Sequence, residues 1–209
     1  MTTNVAASKR GVAILVEVNM MAVTELKAEL TKITGGNYSY TEFVIQCAAQ
    51  ALTEFKAVNA SSVDGRIIEQ DVVNIGVAIS LTHGMVVPVI KNAQQKSLRA
   101  IRHDILNFAK KAHDGNLLPD DLSGGTFSVA NLGMFGVDQF TPELPGGESA
   151  SLGMCRIVKR PVAVNDEIVV QPMMNLCLSF DPAVIDGVTA AKFMARIREL
   201  MEQPLLLMA

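Results

Sequence analysis

One segment constrains the fold of this chain more than any other: a helical run that is apolar on most of its sides. The run FVIQCAAQALTEF, residues 43–55, follows Ser39-Tyr40-Thr41-Glu42. That tetrapeptide has the Ser-x-x-Glu spacing of a capping box at a helix N-terminus. A helix with so little polar surface has to be covered on several sides. The sequence therefore predicts a helix inside a sizeable core, and 209 residues are enough to build one.

Short β-branched runs and amphipathic helical segments surround that helix. Apolar spacing predicts further helices over 23–34, 97–113 and 188–202, with Gly- or Pro-containing turns after them. Runs rich in β-branched residues predict strands over 11–18, 67–69, 72–79, 85–90, 126–130, 168–170 and 175–180. No low-complexity linker or internal repeat interrupts this mixed pattern. The prediction is one α/β domain over residues 1–209.

Charge and hydropathy exclude several classes of function. The formal net charge is −3 and no run of Lys and Arg occurs, which argues against nucleic-acid binding and against attachment to an anionic membrane. No apolar stretch approaches the roughly 18 residues of a membrane span. A short apolar patch follows Lys9-Arg10, but Glu17 interrupts it and no small-residue cleavage site follows. This pattern favours a strand over a signal peptide.

The cysteines and histidines indicate neither a disulfide framework nor a metal site. The three cysteines, Cys47, Cys155 and Cys177, lie far apart in apolar surroundings without a CxxC spacing, which favours buried, reduced thiols. The histidines show no metal-ligand spacing and are expected at the surface; they are His83, His103 and His113. We therefore expect no metal centre and a reducing compartment, cytoplasmic or, in a eukaryote, the mitochondrial matrix.

An ordered set of motifs links the chain to one enzyme family. The stretches are LVEVNM with TELK, AVNAS, VNIGVAIS, GMVVPVIKNAQQKSL, DLSGGTFSVANLGMFG, LGMCRIVKRPVAVNDEIVVQPMMNLCLSF and VIDG. They cover almost everything from Val12 to Pro204. In this order they resemble the catalytic domain of the dihydrolipoyl acyltransferases, the core components of 2-oxo acid dehydrogenase complexes.

The resemblance implies an architecture and an assembly. It implies an α/β fold like that of chloramphenicol acetyltransferase, with a mixed sheet flanked by helices, which forms trimers. Such trimers commonly build hollow cubic or dodecahedral cores, and the apolar tail Leu205, Leu206 and Leu207 is a candidate contact for that step. The lipoyl and subunit-binding domains of full-length members are absent from these 209 residues, which are expected to be a single acyltransferase-like core.

The resemblance also implies the ligands and the place of the active site. In the family, the site lies between two subunits of a trimer, dihydrolipoamide enters from one side and coenzyme A from the other. We therefore expect no covalently bound cofactor, and coenzyme A is the candidate ligand. The expected partners are further copies of the chain and active acyltransferase chains.

Acyl transfer between thiols needs a base for the attacking thiol and a donor for the oxyanion of the tetrahedral intermediate. In the family, the base is the histidine of an Asp-His-Arg-x-x-Asp-Gly stretch. The donor is the Ser or Thr hydroxyl before the Asn of a Gly-Gly-x-Phe-x-x-Ser/Thr-Asn stretch. The matching stretches here are DPAVIDG, residues 181–187, and GGTFSVAN, residues 124–131. The histidine position is therefore Pro182, the arginine position Ala183 and the hydroxyl position Ala130.

These matches predict that the family mechanism cannot run as such in this chain. Pro182 has no titratable group and Ala130 has no hydroxyl, and the two residues lie 52 positions apart, which fits the family spacing without a gap. A general base is worth roughly 10² to 10⁴ in rate, and an oxyanion donor roughly 10² to 10³. Asp186 is retained, and its expected role is structural, at the start of the last helix where a carboxylate favours the helix dipole.

The binding surface is also predicted to differ from that of the family. Residues 143–149, ELPGGES, occupy the place of a loop that contains Asn-Pro-Pro. Two glycines in place of two prolines predict a more mobile loop. Two carboxylates, Glu143 and Glu148, stand where an apolar or neutral wall is expected. The candidate substrate-binding residues are Ser128, Asn131, Glu148 and Ser149.

No obvious group replaces the missing base. Ser128 shares a strand face with Ala130 but lies roughly 6–7 Å along it. The remaining candidates each have a simpler interpretation as a hydroxyl, a core thiol or a turn histidine; they are Ser149, Ser179, Cys155, Cys177 and His83. No Ser-His-Asp or Cys-His arrangement is visible.

Three hypotheses for function follow. The first is a catalytically impaired acyltransferase homologue that acts as a trimeric or cage-forming core subunit. The alternatives are an acyltransferase that uses substitute residues to move an acyl group between coenzyme A and a dihydrolipoyl or other thiol, and a module that binds coenzyme A or an acyl thioester. Laboratory alteration could explain Ala130 and Ala183, but Pro182 is an unusual choice for that purpose, which favours natural divergence.

Overall fold

The computed structural model of the chain describes residues 11–63, 66–82 and 84–208. Within these ranges the helices are α1 (Met21–Thr34), α2 (Tyr40–Glu54), α3 (Leu98–His113) and α4 (Gly187–Glu202). The strands are β1 (Val12–Asn19), β2 (Ala60–Val63), β3 (Arg66–Glu69), β4 (Ile75–Val77), β5 (Ile79–Leu81), β6 (Gly84–Val86), β7 (Val89–Ile90), β8 (Phe127–Asn131), β9 (Ala150–Val164) and β10 (Glu167–Phe180).

The core of the fold is a mixed six-stranded sheet with the strand order β1-β10-β9-β8-β4-β7. β8 runs parallel to both β4 and β9, and the other neighbouring pairs are antiparallel. Two small hairpins, β2-β3 and β5-β6, lie outside this sheet. The predicted α/β class with a mixed sheet and flanking helices is confirmed.

The two faces of the sheet differ in what covers them. Helices α2 and α4 pack on one face, where Phe193 of α4 meets Phe127 of β8 edge-on at 5.9 Å between ring centroids. The opposite face carries small residues, because the register aligns Gly76, Ser128 and Ser151 across three strands. Residues two along a strand share a face. Ala130 therefore lies on this second face as well, paired with Gly153.

The helix-capping residues that the sequence predicts make their capping contacts in the structure. The carboxylate of Glu42 accepts a hydrogen bond from the backbone N–H of Ser39 at 2.6 Å, as in a capping box. The predicted central helix α2 is buried on most sides, with nine buried residues between Glu42 and Leu52. The Ser97 side chain caps α3 by accepting from the Ala100 N–H at 3.2 Å.

The strand predictions were less accurate. The predicted strand 72–79 starts only at Ile75 and is interrupted at Ala78, whose N–H donates to the Val129 carbonyl at 2.9 Å. The predicted strand 85–90 is divided around Pro88, which has no N–H for a strand ladder. The predicted strands 168–170 and 175–180 are one strand, β10, paired with the long strand β9.

The C-terminal tail is less free than its sequence suggests. Residues Pro204–Met208 form a 3-10 turn, and Leu206 and Leu207 pack against the core of their own chain. Leu205 is 74% exposed and is the member of the leucine triplet that faces outward. A contact of this tail with another subunit stays a prediction.

The remaining structural expectations concern membranes, thiols and metals. No helix in the described ranges is long and apolar enough to cross a membrane. All three cysteines are free and buried, as predicted. His103 and His113 are exposed, while His83 and residues 1–10 lie outside the described residues. Among the described side chains, no group of three or more His, Cys, Asp or Glu is arranged to hold a metal ion.

Candidate functional site

A large cleft opens over the face of the sheet that carries the small residues. Its volume is about 1140 Å³, and its lining is mainly apolar. Three small residues of β8 and β9 line it, Ser128, Ala130 and Ser151. Phe140 lines it too, and lies so close to Gly153 that a Cβ there would be 2.7 Å from the ring. The cleft therefore exists because this part of the sheet has no bulky side chains.

Ala130 and Asn131 lie at the cleft end of β8. Ala130 is partly buried and contributes only a methyl group to the lining. Asn131 donates a hydrogen bond to the Thr41 hydroxyl at 3.1 Å and accepts one from the Gly133 N–H at 2.9 Å. Its amide is thus engaged within the chain, where it joins β8 to the start of α2 and to the next turn.

The segment that contains the retained aspartate lies at the other end of the sheet. Asp181 donates its backbone N–H to the Ser149 carbonyl at 2.9 Å, and its side chain accepts from the Ala183 N–H at 2.9 Å. Pro182 and Ala183 are exposed at this turn. Neither residue lines the cleft.

The strand register separates Ala130 and Pro182, the positions that the sequence matched to the family's reactive residues, widely within one chain. Ala130 pairs with Gly153, and Gly153 pairs with Cys177 on β10. Pro182 lies five residues beyond Cys177, a separation of roughly 16 Å along the strand direction. A single chain therefore does not bring Ala130 and Pro182 together. That arrangement fits a site completed by a second copy, as the resemblance implies.

Asp186 is the N-cap of helix α4. One carboxylate oxygen accepts from the backbone N–H groups of Val188 and Thr189, both at 2.9 Å. The other accepts from the Thr189 hydroxyl at 2.6 Å. The Thr189 hydroxyl and N–H, followed by the Val188 N–H, lower the pKa of Asp186. These contacts give the carboxylate the structural role that the sequence predicted.

We expect Asp186→Ala to lower the free energy of unfolding, because two N–H groups of α4 lose their acceptor. Asp186→Asn is the matched control, since asparagine caps helices about as well as aspartate. Urea unfolding monitored by circular dichroism measures both variants. Equal stability of Asp186→Ala and the parent would contradict the capping role.

Ser128 and Glu148 form a buried pair next to the cleft. The Ser128 hydroxyl donates to Glu148 Oε1 at 2.9 Å, and Glu148 is 6% exposed. Burial raises the pKa of Glu148 from 4.5 to about 7, against the opposing effect of the Ser128 hydrogen bond. Its Oε2 has no hydrogen-bond partner among the described residues.

Only part of the loop at residues 143–149 lines the cleft. Glu143 and Pro145 line the cleft, but Glu148 and Ser149 do not. Ser149 is fully buried, and its hydroxyl has no partner in the described part of the chain. The chain turns back at Gly147, where φ is +92°, and this turn sends Glu148 inward. Of the four candidate binding residues, the cleft therefore brings together Ser128 and Asn131 only.

We expect Glu148→Gln to remove a pH dependence of stability. Because the folded chain holds the Glu148 proton up to about pH 7, folding takes up a proton between pH 4.5 and 7, and stability falls as the pH rises through that window. The loss at pH 8 is on the order of 3 kcal/mol. Glutamine can still accept from Ser128, so the variant should be more stable than the parent at pH 8 and similar at pH 4.5.

Urea unfolding at a series of pH values measures this effect. Glu143→Gln is the matched control, because Glu143 is an exposed carboxylate of the same loop and is expected to shift stability by less than about 0.5 kcal/mol. Two results together would contradict the raised pKa of the buried Glu148 carboxyl. They are a free energy of unfolding of the parent that rises from pH 5 to pH 7, and a free energy of unfolding of Glu148→Gln at pH 8 that is no higher than that of the parent.

Comparisons with known proteins agree with this geometry. The model of the 2-oxoacid dehydrogenases acyltransferase (catalytic domain) family matches residues 1–209. The chain is 40% identical over 193 residues to the succinyltransferase component of the 2-oxoglutarate dehydrogenase complex of Pseudomonas aeruginosa, covering 90% of this chain and 47% of that protein. It is 39% identical over 186 residues to the lipoamide acyltransferase component of a branched-chain complex of Bacillus subtilis, covering 88% and 44%.

Solved structures resemble the fold closely. The dihydrolipoamide acetyltransferase of Azotobacter vinelandii superposes with a TM-score of 0.92 at 27% identity, covering 95% of this chain and 84% of that one. The cubic core of a pyruvate dehydrogenase multienzyme complex gives 0.91 at 27% identity, covering 96% and 84%. Chloramphenicol acetyltransferase gives 0.61 at 11% identity, covering 93% and 89%, which confirms the predicted fold. The chain spans about half the length of the curated relatives it matches.

Proposed function

This chain belongs to the family of 2-oxoacid dehydrogenase acyltransferase catalytic domains, and we propose that it serves there as a core subunit that assembles without catalysing acyl transfer. The relatives are named as transferases, so their names do not indicate a loss of catalysis. The proposed loss of acyl transfer rests on the residues of this chain. The observation that carries it is the combination of a retained family fold with Pro182 and Ala130 at the two reactive positions.

The spacing of residues in a solved relative supports the placement of the vacated positions. In the Azotobacter vinelandii enzyme, a serine, a histidine and an asparagine were investigated for roles in catalysis, and their positions differ by 52 and by 4. The same intervals separate Ala130, Pro182 and Asp186 in this chain. The serine therefore corresponds to a methyl side chain here, and the histidine to an imino acid. Only the third position keeps a polar group.

The residues around the cleft supply no evident replacement. The Ser128 hydroxyl donates its hydrogen bond to the buried carboxyl of Glu148, so its proton is not available to an oxyanion. Burial raises the pKa of Cys155 to about 12, so little thiolate exists at neutral pH. The exposed residues Pro182 and Ala183 carry neither a base nor a donor side chain. Among the described residues, no histidine lines the cleft, so a thiol substrate there would lack the imidazole base that the family uses.

The family fold supports an assembly role. A solved cubic core with a TM-score of 0.91 belongs to a pyruvate dehydrogenase multienzyme complex. On this basis we propose a trimer of this chain, alone or mixed with active acyltransferase chains, and a larger cage built from such trimers. The 74% exposed Leu205 of the C-terminal turn is the proposed contact between trimers, because the backbone of this turn is already ordered and only the side chain would lose conformational entropy on burial.

The mass of the particle in solution tests this proposal. Sedimentation at micromolar concentration should give a trimer or a larger closed particle, and a monodisperse monomer would exclude the core role. Leu205→Glu should leave the fold intact and lower the particle mass if Leu205 joins trimers. Ile33→Glu is the matched control, since Ile33 is 78% exposed at the end of α1 and should leave the particle mass unchanged.

A second candidate function is ligand binding without turnover. The observation in its favour is the cleft itself, whose volume of about 1140 Å³ and mainly apolar lining survive the loss of the reactive groups. Such a volume is ample for coenzyme A or an acyl thioester. Calorimetry with coenzyme A and acetyl coenzyme A decides this point. Absence of heat and of a thermal shift at millimolar ligand would exclude it and leave the assembly role untouched.

A further inference from the structure

Two cysteine thiols lie in contact beside the cleft. Cys155 of β9 and Cys177 of β10 have their sulfur atoms 3.8 Å apart. The strands are neighbours in the sheet, and their register shifts between Met174 and Leu176, opposite Cys155. Cys177 pairs with Gly153, and Cys155 lies two residues along β9 from Gly153, so the two thiols are diagonal neighbours on one face of the sheet.

The surroundings of Cys155 hold its backbone in place. The Leu132 N–H donates to the Met154 carbonyl at 3.1 Å, and the Arg156 N–H donates to the Val137 carbonyl at 2.9 Å. A Cβ at Gly133 would lie 2.4 Å from the Cys155 carbonyl oxygen, so only glycine fits there. With its backbone fixed on both sides, Cys155 can reach its neighbour only by rotation of its side chain.

Access to the pair is asymmetric. Cys155 lines the cleft and Cys177 does not, although each is only 3% exposed. Cys47 is buried in helix α2, away from the cleft lining. A small molecule in the cleft therefore meets Cys155 first. Cys177 lies behind it, in position to act second.

We propose that Cys155 and Cys177 are a dithiol site that reacts with small organic disulfides in the cleft and closes to an intrachain disulfide. Closure needs the sulfurs to approach from 3.8 Å to about 2.05 Å, a movement within the range of side-chain rotation. The two sulfurs are already in contact, which favours closure over a lasting adduct.

The chemistry balances in two exchange steps. The Cys155 thiol loses its proton to water or buffer, and its sulfur attacks one sulfur of the small disulfide, breaking that bond and releasing the first small thiolate, which takes up a proton. Cys177 then attacks the Cys155 sulfur of the mixed disulfide and releases the second small thiol. The two protein thiols are oxidised, the small disulfide is reduced to two thiols, and no other oxidant is required. Excess dithiothreitol reverses both steps.

The rate should be low at neutral pH and should rise with pH. Burial, with smaller contributions from Cys177, raises the pKa of Cys155 to about 12, and only the thiolate attacks. Below that pKa the thiolate fraction grows about tenfold for each pH unit. This behaviour distinguishes the pair from an exposed cysteine, whose reactivity levels off near pH 8.5.

Treatment of the intact protein with 2,2′-dithiodipyridine tests the proposal. We expect two thiopyridone molecules released per chain, a mass loss of two hydrogen atoms, and a peptide map that joins Cys155 to Cys177 while Cys47 stays a free thiol. A stable pyridyl adduct on Cys155 of the parent chain would overturn the proposal, as would a disulfide between chains or no reaction at pH 9. The parent chain alone decides these outcomes, independently of any acyltransferase activity.

Variants assign the order of the steps. Cys177→Ala should stop at a stable mixed disulfide on Cys155, and Cys155→Ala should prevent reaction at Cys177. Cys47→Ala is the matched control and should behave like the parent. If Cys177→Ala still formed an intrachain disulfide, between Cys155 and Cys47, this result would contradict the assignment of Cys155 and Cys177 as the reacting pair.

Discussion

The triple variant Ala130→Ser, Pro182→His, Ala183→Arg is expected to transfer acetyl or succinyl groups from coenzyme A to dihydrolipoamide at least about 10³-fold faster than the parent. It restores a hydroxyl on the cleft and an imidazole on the exposed turn that begins at Asp181. A positioned base is worth roughly 10² to 10⁴ and an oxyanion donor roughly 10² to 10³. The stated gain is below their product because such effects do not simply multiply.

Two controls make this gain interpretable. Ala130→Ser alone adds the hydroxyl without the base and should gain little, because a thiol at neutral pH still lacks a proton acceptor. Pro182→Ala removes the proline ring without adding a base, so it reports any effect of the turn itself. Each variant is assayed after its particle mass is confirmed. No gain from the triple variant in a correctly assembled particle would show that something other than these three side chains blocks the reaction.

Phe193→Ala is expected to lower the free energy of unfolding by about 4 kcal/mol, the range for deletion of a buried phenylalanine ring. Phe193 is fully buried in α4. Its ring lies edge-on between Phe55 and Phe127, with both centroid distances 5.9 Å. The ring thus joins α2, α4 and the sheet, and its loss leaves a cavity at the junction of these three elements.

The matched control lies on the same helix. Val188 is 64% exposed near the start of α4, and Val188→Ala should change stability by less than about 0.5 kcal/mol. Urea unfolding of the parent and the two variants at one pH measures both effects. A cost below about 1.5 kcal/mol for Phe193→Ala would contradict the packing described here, since it would require the core to close over the missing ring.

Sequence patterns were sufficient where local chemistry decides the structure. The capping box at Ser39 and Glu42 fixed the start of α2, and the apolar spacing of α3 and α4 identified the faces that are buried. The ordered motifs identified the fold class and the family, and both are confirmed. Asp186 was correctly expected at the start of α4.

The patterns failed where distant parts of the chain decide the structure. β9 and β10 are paired strands of 15 and 14 residues. Each contains a proline, Pro161 in β9 and Pro172 in β10, which argues against a continuous strand when the sequence is considered alone. Pairing between the two strands keeps both continuous. The predicted strand 72–79 is divided because β4 belongs to the six-stranded sheet and β5 to a separate hairpin with β6. No local signal announces either contact.

The candidate functional site shows the same limit of prediction from local sequence. Sequence spacing located Ala130 and Pro182, but only the strand register shows that one chain keeps them apart. Glu148 does not line the cleft of the single chain, because its side chain is buried against Ser128, and its expected role in substrate binding stays a prediction. The contact between Cys155 and Cys177 could not be anticipated, since it depends on the register in which β9 and β10 pair.

The central claim is that this chain keeps the family scaffold without the family's acyl-transfer chemistry, and the rate of that transfer tests it most directly. The assay measures acetyl or succinyl transfer from coenzyme A to dihydrolipoamide by the assembled parent chain, in parallel with the Pseudomonas aeruginosa relative. The account predicts a kcat/KM at least about 10⁴-fold below that of the relative. A value within about tenfold of the relative, in proportion to protein concentration, would contradict the account.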